Sequence, residues 1–369
     1  MIRSYYEHGA HCVLVDVGHS YKGLCDLVGG YYFTYSERDP IKFNPFFLED
    51  DTLDTEKKES IKTLLLALWK KDDETFTRSE YVSLSNALQG YFDHLATHSE
   101  LFPCFNTFYE YCKEIFLPAL RKEGIKDKDF DIDNFLYVLR PYYKSGEFDY
   151  LLNATENLDL LHQPFIVFEL DNIKDHGILL PTITIIVSQL FINKMRKLKG
   201  IRKIILIEEA WKAIARAGMA EYIKYLFKTV RKHFGEAIVV TQEVDDIISS
   251  PVIKDAIINN SDCKILLDQT KYINKFDRIQ ELLGLTDKEK TLIMSMNKAN
   301  DPTKKYKEVF IGLGGVLSKV YRTEVSLEEY LTYTTEEKEK MKVQEYARRY
   351  GSIQKGVAML ASEIRGAVA

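Results

Sequence analysis

The chain has 369 residues, with 50 lysines and arginines against 55 aspartates and glutamates, a formal charge of -5. At 46% hydrophobic and 28% charged it is not a largely disordered chain, and its mild acidity excludes a whole-surface electrostatic grip on nucleic acid. The length exceeds what one hydrophobic core usually serves, so two domains are expected, one inserted in the other.

Ile2–His8 reads as a short helix before the first strand. Short β-branched runs follow at Cys12–Val17, Phe165–Leu170, Lys203–Ile207, Ala237–Thr241, Cys263–Leu267 and Glu308–Leu313. Most are continuously apolar, as in a parallel sheet covered on both faces, and helical segments between several of them imply β-α-β crossovers. Gly314-Gly315 and Val316–Arg322 after the last run signal a hairpin, expected to close the sheet edge with antiparallel strands. A different texture fills residues 49–155. Ile61, Leu64, Leu65 and Leu68 mark one helix face, Thr77-x-x-Glu80 opens a helix towards His98, and further helices run through Phe105–Arg121 and, broken by Pro141, Asp133–Leu152. The apolar stretch Ile178–Ile192 holds Pro181, Thr182, Thr184, Ser188 and Gln189 and falls short of the roughly 20 apolar residues of a membrane span. It reads as a helix buried against the sheet. In the tail, boxes at Ser326-x-x-Glu329 and Thr334-x-x-Glu337 open helices, and the order is expected to fray from Tyr350 on.

The fold class expected is therefore α/β, a mainly parallel sheet with an inserted all-helical subdomain. The divisions are 1–48 plus 156–325 for the core, 49–155 for the insertion and 326–369 for a helical tail. The five cysteines lie far apart without C-x-x-C pairs or partner histidines, which reads as reduced thiols in a cytosolic setting. Asp129-x-Asp131-x-Asp133 lacks the glycine and final acid of a calcium loop, and His94 and His98 lack the glutamate of a zinc helix.

Chemistry is carried by Ile204-Ile205-Leu206-Ile207-Glu208-Glu209-Ala210-Trp211. A buried strand ending in two acids is what P-loop NTPases place beside the phosphates. Glu208 would assist Mg²⁺ and Glu209 would orient and deprotonate the attacking water. One crossover later, Ala237–Thr241 ends in Gln242, the place of a γ-phosphate sensor in RecA-like motors. Arg231-Lys232-His233 closes the intervening helix, where cations suit the helix dipole; a phosphate-sensing role for Arg231 is the sharper alternative. No G-x-x-x-x-G-K-[ST] and no Gly-Lys pair occurs, so the phosphate cradle is absent and the sequence reads as starting just downstream of its own P-loop.

Val15-Asp16-Val17-Gly18, Ser20-Tyr21-Lys22, Gly29-Gly30 and Asn44-Pro45-Phe46, followed by Glu208-Glu209-Ala210-Trp211, Arg231-Lys232, Thr241-Gln242 and Asn259-Asn260, form an ordered set. It resembles the conjugative-transfer ATPases of type IV secretion, called TraG or TraC in various plasmids and conjugative transposons, to about residue 325. The resemblance implies a RecA-like core using ATP and Mg²⁺, with Glu208 at the metal-associated position, Glu209 as catalytic base and Gln242 as sensor. Glu208 departs from the usual aspartate. The resemblance also implies hexamers at the cytoplasmic face of the inner membrane that work with other secretion proteins in pilus assembly and substrate transfer. The alternatives are a HerA/FtsK or coupling-protein DNA motor, for which no clustered basic loop is found, and a non-catalytic assembly module.

Overall fold

The computed structural model describes residues 1–36, 42–48, 53–70, 76–155, 160–208, 226–241, 257–297 and 306–368. Its centre is a five-stranded parallel sheet in the order β2-β3-β1-β4-β5. The strands are β1 (His11–Asp16), β2 (Tyr31–Thr34), β3 (Phe165–Glu169), β4 (Lys203–Glu208) and β5 (Gly235–Val240). Side chains alternate between the two faces of each strand. Cys12, Leu14, Phe165, Val167, Ile204 and Leu206 face one core with α1 (Ile2–Glu7) and α2 (Lys22–Val28). Val13, Val15, Ile166, Phe168, Ile205 and Ile207 face the other. Coverage on both faces is why the sequence runs are continuously apolar.

The second face is covered by the helices between β2 and β3: α3 (Thr55–Trp69), α4 (Arg78–Thr97), α5 (Phe105–Tyr111), α6 (Leu117–Glu123) and α7 (Ile132–Leu139). Their apolar residues join the sheet's in one continuous cluster. Thr77 and Glu80 form the expected capping box, a π-helical turn links α5 to α6, and a 3₁₀ turn at Pro141 stops α7. The crossover from β3 to β4 is α8 (Leu179–Lys197), buried against the sheet through Ile183, Val187 and Phe191. Its polar residues are satisfied inside: Thr182, Thr184 and Ser188 donate to the carbonyls of Ile178, Leu180 and Thr184, and Gln189 donates to Ser60 of α3. No helix among the described residues is long and apolar enough to cross a membrane.

Three expectations are corrected. β6 (Cys263–Leu266), β7 (Tyr306–Leu313) and β8 (Leu317–Glu324) do not extend the parallel sheet but form an antiparallel sheet of their own. The reason is a separate core: Leu266 and Phe310 pack on α9 (Phe276–Leu283) and α10 (Asp287–Ser295) through Phe276, Ile279 and Ile293. The tail does not fray after Tyr350. α11 (Leu327–Tyr333), α12 (Glu337–Tyr350) and α13 (Ile353–Val368) bury Leu331, Val343, Val357, Leu360 and Ala361 together. Finally, Ser326 and Glu329 make the expected box, but Thr334 does not cap the next helix; Glu336 does, accepting from the Glu339 amide at 2.8 Å.

Candidate functional site

Parallel strands deliver their carboxyl ends to one edge of a sheet, where the loops that carry chemistry emerge. Three neighbouring strands here end in acids: β3 in Glu169, β1 in Asp16 and β4 in Glu208. Asp16 and Glu169 are direct register partners, and Val15 pairs with Ile207 just before Glu208. Counting from the apolar residues, all three acids project on the face that carries α2. Partnered strands lie only about 4.8 Å apart, so the carboxyls are crowded by the backbone itself.

Each acid has a distinct environment. Glu169 is fully buried. Its Oε1 accepts from the amides of Gly18 (3.1 Å) and Asp171 (2.9 Å), and Oε2 from the amide of His19 (2.6 Å). Asp16 is also fully buried and accepts from the Ser20 amide at 2.6 Å through Oδ2, while its Oδ1 has no partner. Burial first, and then the charge of Glu169, push the Asp16 carboxyl from 3.8 up to about 7. Glu208 is half-buried at the strand tip, and its Oε2 is likewise buried without a partner. The Tyr21 hydroxyl lies against Glu208, and burial followed by that carboxylate raises the phenol well above its ordinary range. The Tyr32 hydroxyl meets His19 Nδ1 at 2.7 Å and Glu169 Oε2 at 3.5 Å.

Glu208 ends β4 as the sequence leads one to expect, and β5 runs parallel beside it with Glu208 opposite Val240. Glu209 and Gln242 lie outside the described residues. Arg231 is not brought to the acids. It sits in the 3₁₀ turn Val230–His233 that precedes β5, 90% exposed and 3.9 Å from Asp262. A six-residue strand, roughly 17 Å long, separates that turn from the strand ends. Conversely, Glu169 and Tyr21 enter the site without having been assigned a role from sequence. Glu169 does carry the β4 signature, an apolar strand ending in an acid.

A buried carboxyl oxygen lacking a donor is a place where a cation or a proton belongs. Among the described residues no three His, Cys, Asp or Glu side chains are grouped to hold a metal by themselves. A single hard oxygen donor at Glu208 suits Mg²⁺, which keeps waters and shares its shell with phosphate oxygens rather than sitting in a protein cage. The Glu208 carboxylate thus fits a Mg²⁺ ion whose remaining shell comes from water and phosphate oxygens.

Comparison with known proteins agrees with the fold. The chain is 23% identical over 295 residues to protein TraC of Escherichia coli, covering 76% of this chain and 31% of TraC. It is 25% identical over 294 residues to the type IV secretion system protein CagE of Helicobacter pylori, covering 76% of this chain and 28% of CagE. The chain therefore spans about a third of the length of these relatives. Among solved structures, VirB4 of Thermoanaerobacter pseudethanolicus superposes with a TM-score of 0.59 at 18% identity, over 88% of this chain and 84% of that one. Plasmid coupling protein TrwB in complex with ADP and Mg²⁺ superposes with a TM-score of 0.54 at 12% identity, over 88% of this chain and 80% of TrwB. These likenesses show a P-loop NTPase fold. The family model of the TraG P-loop domain matches residues 1–364, and the chain belongs to that family, the conjugative-transfer ATPases of type IV secretion.

Proposed function

We propose that this chain is part of a conjugative-transfer ATPase that couples ATP hydrolysis to pilus assembly and substrate transfer, and that it supplies the acids of the nucleotide site but not the phosphate-gripping loop. The observation that carries the reading is the end of β4, where the Glu208 carboxylate emerges beside the parallel neighbour β5 in a chain matched by the TraG P-loop family from residue 1 to 364. Bound Mg²⁺ would neutralise charge on the phosphates, and Glu208 is the group to hold it. Glu209, next in sequence, is assigned as the base towards water, and Gln242 as the γ-phosphate sensor. The chain's own motifs include no phosphate cradle, since no Gly-Lys pair occurs in it. With Arg231 exposed at the far edge of the sheet, its only proposed catalytic role is towards the site of a neighbouring subunit in a hexamer. The domain division at 49–155 and 326–369, a place at the cytoplasmic face of the inner membrane and contacts with other secretion proteins belong to the same reading.

The likeness to TrwB, a plasmid coupling protein, supports a second reading, a DNA-translocating motor. One experiment separates the two. ATP hydrolysis by the full-length protein is measured with and without double-stranded DNA, for the natural sequence and for Glu209→Gln. Turnover abolished by the substitution and indifferent to DNA supports the first reading, and DNA stimulation supports the second. No hydrolysis, or hydrolysis that ignores Glu209→Gln, refutes the catalytic assignment.

A further inference from the structure

We propose that Glu169 is a positioning residue: from the end of β3 it latches the turn that leaves β1, and that turn sets the Tyr21 hydroxyl against Glu208. The proposal rests on the reading of Glu208 as an acid of the nucleotide site.

The turn has a shape it would not hold unaided. Gly18 has φ 131° and His19 φ 59°, two successive residues in the left-handed region, the second without glycine's freedom. A non-glycine residue there persists only where its surroundings over-determine it. Glu169 is what over-determines it. Its carboxylate receives the amides of both strained residues, Gly18 and His19, and a third from Asp171 beyond its own strand. Amide bonds to an ionised acceptor are the stronger kind, and this acceptor is fully buried. The turn then continues through Ser20, whose amide is held by Asp16, to Tyr21, whose hydroxyl meets Glu208. Among the described residues Glu208 has one side-chain oxygen with no partner, so the Tyr21 contact bears on a carboxylate that is only partly held. The path from β3 to β4 thus crosses β1 through a strained turn rather than through direct contact. Glu169 acts through the turn, as a support for the group that meets the ligand.

The latch can be read in this chain without nucleotide. Amide hydrogen exchange at Gly18, His19 and Asp171 is measured together with the NMR signal of ring-labelled Tyr21, assigned with Tyr21→Phe. Glu169→Gln keeps one oxygen, so it can serve either the Gly18 and Asp171 amides or the His19 amide. One of the two sets should then exchange at least about tenfold faster. The Tyr21 signal should move in the direction it takes in Glu208→Gln, while that of distant Tyr346 stays. Unchanged protection, or lost protection with Tyr21 unmoved, overturns the proposal. Should Glu169→Gln not fold, Tyr21→Phe itself decides. The labelled Glu208 carboxyl signal must shift while Gly18 and His19 stay protected, and a stationary Glu208 signal overturns the proposal. In the full-length protein, Glu169→Gln should lower kcat with KM for Mg-ATP unchanged, and unaltered turnover also counts against it. Absence of any ATPase activity would remove the nucleotide reading while the exchange and Tyr21 results still test the latch.

Discussion

Replacing Asp16 by Asn should stabilise the protein above neutral pH, although Asp16 is buried and hydrogen-bonded. The carboxyl is pushed from 3.8 to about 7 by burial and by Glu169, with Glu208 adding to the effect. An acid with a raised folded value keeps its proton in the folded chain between about pH 4 and 7 while the unfolded chain has lost it. Stability therefore falls as pH rises through that window and is flat beyond it. At 1.36 kcal/mol for each tenfold step, the full displacement is worth about 4 kcal/mol. Because Asp16 is coupled to neighbouring carboxylates, the loss expected for Asp16 alone is about 2 kcal/mol. Asparagine has no such loss to make. Its oxygen can still accept the Ser20 amide, and its NH₂ replaces the oxygen that lacks a partner and can donate towards Glu169 or Glu208. The other groups nearby, Tyr21, Tyr32 and His19, remain in both proteins. Urea unfolding of the two proteins at pH 5 and pH 8.5 is the assay. Asp16→Asn should be more stable by less than about 1 kcal/mol at the lower pH and by about 2 kcal/mol at the higher one. A variant less stable than the natural chain at pH 8.5 would refute the picture of a crowded, half-satisfied acid pair.

A Cβ added at Gly23 would lie 2.1 Å from the Thr332 carbonyl oxygen, so Gly23→Ala should lift α11 from α2 and cost about 1–3 kcal/mol; protease cleavage before Leu327 at natural rates would contradict this. The Lys194 ammonium donates to the carbonyls of Leu161 and Gln163 at 2.6 and 2.8 Å, and Lys194→Met should cost about 3 kcal/mol by stranding them, read as a lower urea midpoint. Burial, followed by Lys194, lowers His11 to about 4, so its contribution is present above pH 6.5 and lost as pH falls through 4. His11→Asn should accordingly flatten the acid limb of the stability profile, and an unchanged limb would exclude His11 as its source. In the full-length protein, Glu209→Gln should lower ATP turnover by roughly 10²–10⁴-fold with nucleotide binding retained, measured by single-turnover hydrolysis beside affinity.

The parts of the molecule that sequence reveals are those where one local pattern has one physical cause. β1, β3 and β4 are legible because burial on both faces demands uninterrupted apolar residues, and the Thr77 box because its cap satisfies its own backbone. Where two causes compete, the pattern misleads. β2 has only four residues, three of them half-buried, and is a strand because Tyr31–Thr34 pairs with β3, a contact no local run encodes. The hairpin after Gly314-Gly315 was legible as a hairpin, yet its sheet was decided by Phe310 packing on α9 and α10. The same division runs through the site. Glu208 announces itself at the end of its strand, whereas Glu169 and Tyr21 acquire meaning only from the register that sets β3, β1 and β4 side by side. A second strand ending in an acid was visible at Phe165–Glu169, but sequence alone gives no reason to place it next to Asp16. Once it is there, a fully buried carboxylate gathers three amides, and its neighbour takes up a proton or loses stability. A sheet edge built from three adjacent acids thus constrains its own charge, and Glu208, at the strand tip with one oxygen lacking a partner, is the acid to which the proposed ligand role falls.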